Sequence, residues 1–418
     1  MRMSKKKEIV PKFRFPEFQR DRIDFVHGNK LFKSITNKNH NSDLPILAIT
    51  QDQGAVPRDQ IEYNVTLTDK SLSNYKVVEV GDFIISLRSF QGGIEYSRFK
   101  GICSPAYIIL RKREENISEL YYKYFFKTWR YIQSLNRNLE GIRDGKMIPY
   151  SQFSSVKVPY PRSFKEQQKI ADCLSSIDEL IDAENRKLKA LEKYKKGLMQ
   201  KLFPAEGKTL PEWRFPEFQD CEEWETVKLE KLALYRRGSF PQPYGLPEWY
   251  DEKSGMPFIQ VFDVDDNMKL KSNTKNKISE LAAQQSVFIP KGTLIITIQG
   301  SIGRVAITQY DAYIDRTLLL FEKFFRKIDK TFLAYNLQLL FDIEKQKAPG
   351  GIIKTITKQA LSEFLTSIPR IEEQEKIAGC LSEVDTMITE QSNKVEQLKA
   401  HKKGLMQGLF PSLEEADV

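Results

Sequence analysis

The sequence predicts a mixed α/β (α+β) protein built as a tandem repeat. Two globular domains are joined by two long antiparallel helices that pair as a coiled coil, with pseudo-twofold symmetry between the copies. Three observations predict this. The hexapeptide RFPEFQ stands at Arg14–Gln19 and again at Arg214–Gln219. The segments Glu166–Pro204 and Glu373–Pro411 align without a gap and share 21 of 39 residues. Both segments carry apolar residues at a seven-residue period, which is the pattern of a helix seam and not of a strand.

Taken in order, residues 1–19 hold a basic tail, including Lys5–Lys7, and the start of the first repeat. The tail lies outside the shared pattern; solvated disorder is its expected state, with phosphate contact the lesser alternative. Residues 20–161 read as the first mixed domain. In it the glycine-led run GDFIISLRSFQGG (Gly81–Gly93) and AYIIL (Ala106–Leu110) have strand character. An aromatic, helix-like stretch follows at Leu120–Ile132, read as core, then a glycine-containing loop and a short strand ending at Pro159. Residues 166–204 form the first spacer helix, and residues 205–219 form a polar linker with the second repeat start.

Residues 220–370 repeat that grammar in different words: GTLIITIQGSIGR (Gly292–Arg304), TLLLF (Thr317–Phe321), a helix over Thr331–Ile343, and a strand ending at Pro369. Residues 373–411 form the second spacer helix. The seam of the first is Ile170, Leu174, Ile177, Ile181, Glu184, Leu188, Leu191, Lys195, Leu198 and Leu202. In the second it is Ile377, Leu381, Val384, Ile388, Gln391, Val395, Leu398, Lys402, Leu405 and Leu409. The polar exceptions fall at matching rungs, as register markers do: Glu184 with Gln391, and Lys195 with Lys402. Two like units in tandem favour a two-fold relation and so antiparallel helices. That places Glu184 against Gln391 near the middle, a contact expected to set the register.

Composition narrows the function classes. The chain has 418 residues, 40% hydrophobic, with a net charge of +9. The charge favours an anionic partner, nucleic acid above all. No apolar run approaches the roughly 20 residues of a membrane span, and the basic start lacks the apolar core of a secretory signal. Four scattered cysteines without a CxxC pair read as reduced thiols in a cytoplasmic protein. GxGxxG, the GxxxxGK[ST] phosphate loop, HExxH and an Asn-Pro-Pro-Tyr methyltransferase motif are all missing. Three scattered histidines offer neither a metal cluster nor a triad. None of these patterns offers a catalytic constellation or a metal cluster.

Polar loops interrupt both mixed domains. The first offers Asn37, Lys38, Asn39, Gln51, Gln53, Arg58, Arg88, Ser89, Gln91, Arg143 and Lys146. The second offers Arg236, Arg237, Ser239, Gln242, Tyr244, Gln299, Ser301, Arg304 and Lys354. Arg, Asn and Gln form paired hydrogen bonds to guanine and adenine edges in the major groove. Nearby glycines let backbone approach phosphate closely. Any one such loop equally resembles an ordinary polar surface, so the set carries the reading. Identical frames around divergent domains imply one mechanical task performed on two different ligands, such as two short sequences on one DNA duplex. The rival reading is a scaffold whose coiled coils and α/β domains bind proteins.

The paired segments EQQKIADCLSSID…KKGLMQKLFP and EQEKIAGCLSEVD…KKGLMQGLFP, with RFPEFQ before each domain, resemble the specificity subunit of Type I restriction–modification systems. The resemblance covers residues 11–411. It implies two target-recognition domains, each reading one half of a split, asymmetric double-stranded DNA target, with the helix pair setting the gap. It further implies that this chain is not itself catalytic, and that two modification (methyltransferase) subunits dock on it, joined by restriction subunits. S-adenosylmethionine, ATP and Mg are then expected on those partners and none in this chain.

Overall fold

The computed structural model describes residues 10–61, 72–86, 94–137, 148–347 and 356–411. The chain divides into two compact units, residues 1–185 with 393–418 and residues 186–392. These units cut across the sequence repeats. Each holds one mixed domain, the first half of the long helix that follows it, and the second half of the other repeat's helix.

The long helices run over Phe164–Leu202 and Ile371–Leu409, 39 residues each, about 58 Å at 1.5 Å per residue. Proline is absent from both interiors, and each helix ends two residues before a proline, Leu202 before Pro204 and Leu409 before Pro411. None of the twenty seam residues is exposed. The helices are antiparallel within each unit. In the first, Lys402 pairs with Asp178 and Lys394 Nζ lies 2.6 Å from Glu184 Oε1. In the second, Lys195 Nζ lies 2.6 Å from Asp385 Oδ1, and the later Met199 and Leu202 share a core with the earlier Ile377 and Leu381. Positions therefore fall along one helix as they rise along the other.

The first unit contains β1 (Ile23–His27), β2 (Phe32–Ile35), β3 (Leu47–Thr50), β4 (Gly54–Pro57) and β5 (Lys76–Val78). It continues with β6 (Phe83–Ile85), β7 (Glu95–Tyr96), β8 (Gly101–Cys103), β9 (Ile108–Lys112) and β10 (Lys157–Pro161). Its main sheet is antiparallel in the order β2-β9-β6-β7, and β1 pairs with β10. The second unit contains β11 (Glu225–Lys228), β12 (Ala233–Arg237), β13 (Met256–Ile259), β14 (Asn276–Ile278) and β15 (Val287–Ile289). Then follow β16 (Leu294–Thr297), β17 (Val305–Ile307), β18 (Ala312–Ile314), β19 (Leu318–Phe324) and β20 (Leu365–Ile368). Its sheet β12-β19-β16-β17 matches the first unit's order, and β11 pairs with β20. A further sheet, β14-β13-β18-β15, holds the one parallel pair among the described strands, β13 with β18. In both units the opening strand pairs with the strand that leads into the long helix, so the ends of each domain meet at the helix base.

The ends shared by the two repeats have physical roles. Arg14 donates through Nε and Nη2 to the two carboxylate oxygens of Glu166, at 2.7 and 2.9 Å. Arg214 does the same to Glu373, at 2.8 and 2.8 Å. Both pairs are nearly dry, with side-chain exposures of 6% and 0%, and 9% and 1%. The prolines of RFPEFQ open 3-10 turns at Pro16–Phe18 and Pro216–Phe218, which bury Phe18 and Phe218. Glu17 and Glu217 pair with Lys169 and Lys376 on the helices. The closing LFP sequence delivers Phe203 and Phe410. Phe203 lies 5.2 Å from Phe332 in the second unit, and Phe410 lies 5.1 Å from Tyr121 in the first. Each helix thus ends in the core of the other repeat's domain.

The aromatic stretches are core. Phe32, Phe83, Tyr122, Phe126 and Phe153 interlock edge to face or tilted in the first unit. There the expected single helix is two, Glu119–Phe125 and Trp129–Arg137, because the Thr128 hydroxyl bonds the Phe125 carbonyl at 2.7 Å and helps turn the chain. The second unit keeps one helix, Lys330–Lys347. Tyr124 Oη donates to Asp178 at 2.8 Å, and Tyr335 Oη to Asp385 at 2.6 Å. Lys402 and Lys195 each lie 5.1 Å from the corresponding ring centre. Burial raises both phenols well above their usual range, with the aspartates adding to it.

Replacing Arg214 by Ala leaves Glu373 buried without its cation. We expect a loss of about 3–5 kcal/mol, read as a lower urea midpoint, and a comparable loss for Arg14→Ala. Lys195→Met removes a charged hydrogen bond to Asp385, and an expected cost of about 1.5–3 kcal/mol is measurable in the same way.

Candidate nucleic-acid interface

Strand order decides which loops meet. In the second unit β12 leaves the main sheet at Arg237 and β16 at Thr297, whereas β19 enters at Leu318 and β17 at Val305. Neighbours in this sheet are antiparallel, so residues 238–245, 298–304 and 315–317 emerge at one end. The parallel β13–β18 pair adds residues 260–263, with Asp315 N donating to Ile259 O at 3.0 Å. Gly238 makes the convergence possible, because a Cβ there would lie 2.3 Å from Ile314 O and 2.5 Å from Asp315 O.

The side chains at this end fall into two groups. Arg236 is bound to Glu322 at 2.5 Å. Arg304 donates to Val264 O at 2.9 Å and pairs with Asp266 at 2.7 Å, so it braces one loop against another. Ser239 Oγ donates to Gln285 O at 3.1 Å. Arg237, Gln242, Gln299 and Ser301 are exposed. Tyr244 is half-buried, its ring 4.8 Å from Phe240. Exposed amides, hydroxyls and guanidinium groups at one sheet end are the donor and acceptor set that base edges require.

The first unit gathers its loops by the same logic. β2 leaves at Ile35 and β6 at Ile85, while β7 enters at Glu95 and β9 at Ile108. Asn37, Lys38 and Asn39 follow β2 and are exposed, with Asn39 N donating to Asn37 Oδ1 at 2.9 Å. Gln51 and Gln53 are exposed in the β3–β4 hairpin. Lys127 holds this hairpin through the Gln51 carbonyl, at 3.1 Å, and also pairs with the buried Glu95. Burial pushes the Glu95 carboxyl up to about 7, with Lys127 pulling the other way. Arg58 is half-buried beside the end of β4, with its backbone N donating to Ile46 O at 2.9 Å. Arg88, Ser89, Gln91, Arg143, Lys146, Lys354 and the tail Lys5–Lys7 lie outside the described residues.

Of the expected register residues, Glu184 pairs with Lys394, Gln391 is buried, Lys195 meets Asp385 and Lys402 meets Asp178. Sequence reasoning did not single out Lys127, which lay in the aromatic stretch, or Arg316. A signal for Arg316 was present: in "DRT" an Asp two residues before a Thr, ahead of an apolar run, marks an Asx-type turn. Among the described residues no group of three or more His, Cys, Asp or Glu could hold a metal ion, and no helix is long and apolar enough to cross a membrane.

Comparison with known proteins gives a consistent family. The Type I restriction modification DNA specificity domain matches residues 21–193 and 221–400. The chain is similar to the Type I restriction enzyme MjaVIII specificity subunit of Methanocaldococcus jannaschii, with 26% identity over 82% of this chain and 80% of that one. Its fold is similar to that of the Type I restriction–modification S subunit from M. genitalium, with a TM-score of 0.56, 16% identity, and 96% of this chain and 99% of that one covered. A chain from a structural study of complex assembly and conformational transition in the type I R-M system gives a TM-score of 0.59 at 16% identity, covering 93% and 97%. With both repeats matched over most of their length, the chain belongs to the family of Type I restriction–modification DNA specificity proteins.

Proposed function

We propose that this chain is the non-catalytic, sequence-reading subunit of a Type I restriction–modification complex in the cytoplasm. Each mixed domain reads one half of a split duplex DNA target with the loops at its sheet end. Phosphate contacts place the domain and base-edge contacts select the sequence. The two long helices set the gap between half-sites. Two methyltransferase subunits dock on this chain and restriction subunits join them; S-adenosylmethionine, ATP and Mg reside on those partners.

The observation that carries this reading is the contrast between frame and loop ends. Arg14–Glu166 recurs as Arg214–Glu373, and Tyr124–Asp178–Lys402 recurs as Tyr335–Asp385–Lys195. Gln167 takes the Ser118 N–H and gives its own to Pro161 O, as Gln374 does with Asp329 and Pro369. The sheet ends do not recur: Asn37-Lys38-Asn39 follows β2, where Gly238-Ser239-Phe240 follows β12. Contacts kept in duplicate serve a task common to both halves, and side chains rewritten at equivalent places serve a task that differs.

Base-resolved methylation mapping in cells carrying this chain and its methyltransferase partner is expected to give one asymmetric, two-part target. Exchanging residues 220–370 for those of a relative is expected to change one part and leave the other intact. Affinity of the assembled complex for duplex DNA is expected to fall linearly in log–log form with salt, by roughly 0.9 per phosphate neutralised. Salt-insensitive binding, or a preference for protein over duplex, would favour a scaffold instead. One helical turn added to each long helix is expected to lengthen the gap by one to two base pairs, since a turn rises about 5.4 Å and B-DNA about 3.4 Å per base pair.

A further inference from the structure

We propose that Arg316 is a specificity-determining residue of the second domain and reads a guanine through its forked guanidinium. The inference rests on the DNA-reading function proposed above and assigns a particular side chain to it.

Arg316 lies between β18 and β19, in the turn Asp315-Arg316-Thr317, and is exposed. Every neighbour of that turn is pinned. Asp315 is 1% exposed, its N–H bonds Ile259 O at 3.0 Å, and its Oδ1 accepts from Thr317 N at 2.9 Å and Thr317 Oγ1 at 2.5 Å. Leu318 N returns to Asp315 O at 3.1 Å, and Gly238 packs directly on the Ile314 and Asp315 carbonyls. A long side chain on a rigid turn loses less freedom on binding than one on a loose loop.

The guanidinium carbon lies 5.1 Å from the centre of the Tyr244 ring. A ring beneath an Arg restrains it without occupying its donors as a carboxylate would. Among the described residues Arg316 makes no ion pair, whereas Arg236 and Arg304 at the same sheet end are taken by Glu322 and Asp266. Position distinguishes base from phosphate. β19 is an inner strand of its sheet, so the turn that feeds it sits among the converging loops rather than at their rim. A pre-oriented, unneutralised fork at the centre of a reading surface matches the O6 and N7 acceptors of guanine.

The test uses the complex of full-length chain and methyltransferase partner. Duplexes varied at each position of the mapped target are compared for Arg316→Ala, Arg316→Lys and Tyr244→Leu. Arg316→Ala is expected to relax selection of guanine at one position of the second domain's half-site by about 5- to 100-fold, with the other half-site unchanged. Arg316→Lys keeps the charge and is expected to retain salt-dependent affinity while losing most of that selection. Tyr244→Leu is expected to relax the same position to a lesser degree. Selection at every position equal to wild type in Arg316→Ala would overturn the assignment. So would a uniform loss across all sequences with a shallower salt dependence, the signature of a phosphate contact. If the unsubstituted complex selects no sequence, the reading function itself fails; if it selects and Arg316→Ala matches it, only the role of Arg316 does.

Discussion

Glu166 and Glu373 sit in the first turns of the long helices with almost no access to water. A carboxylate in that position is tolerable only if a cation meets both oxygens, and Arg14 and Arg214 do so with paired hydrogen bonds. Everything near the helix base depends on this pairing. The arginine fixes the RFPEFQ turn, the turn buries its second phenylalanine, and the adjacent lysine on the helix takes the turn's glutamate. In the second unit Trp224 also donates to Glu373, at 3.2 Å, which ties the start of the mixed domain to the same carboxylate. A helix base held this way gives the domain above it one orientation on its own helix.

The second constraint is that each compact unit draws on both repeats. Asp178 and Asp385 face lysines from the other repeat's helix, and the LFP phenylalanines complete cores that their own repeats do not contain. This explains why both ends of the repeat are kept while the middle is free to change. Helix residues must satisfy two different domains at once, and the sheet-end loops satisfy neither. The same sheet order, β2-β9-β6-β7 and β12-β19-β16-β17, then supports different loop ends without altering the helix contacts.

Much of this architecture was legible because it was written twice. A seven-residue apolar period with polar rungs at matching places identifies a helix seam, and antiparallel pairing follows from duplication. The interior of each domain was less legible. Strand segments such as Leu294–Thr297 could be seen as apolar runs, but no local signal announces that β13 lies parallel to β18 or that three loops leave one sheet end together. Loop composition finds polar side chains without finding their partners. It therefore grouped Arg236 and Arg304, each engaged by a carboxylate, with the exposed Gln299 and Ser301. It passed over Arg316, whose surroundings are local in space and distant in sequence, with Tyr244 more than seventy residues away along the chain. Long-range pairing is what composition cannot encode.

Phe13 donates its backbone N–H to Gly408 O at 2.8 Å, and Phe410 packs on Tyr121 and Phe125. The first unit is therefore completed only after the second, since residues 393–410 must be made before Leu409 and Phe410 can close its hydrophobic centre. The second unit, drawn from residues 186–392, is a contiguous span and faces no such delay. A break within Ile371–Leu409 would leave the first domain's own sequence intact yet uncover its aromatic interior, the face that Leu409 and Phe410 cover.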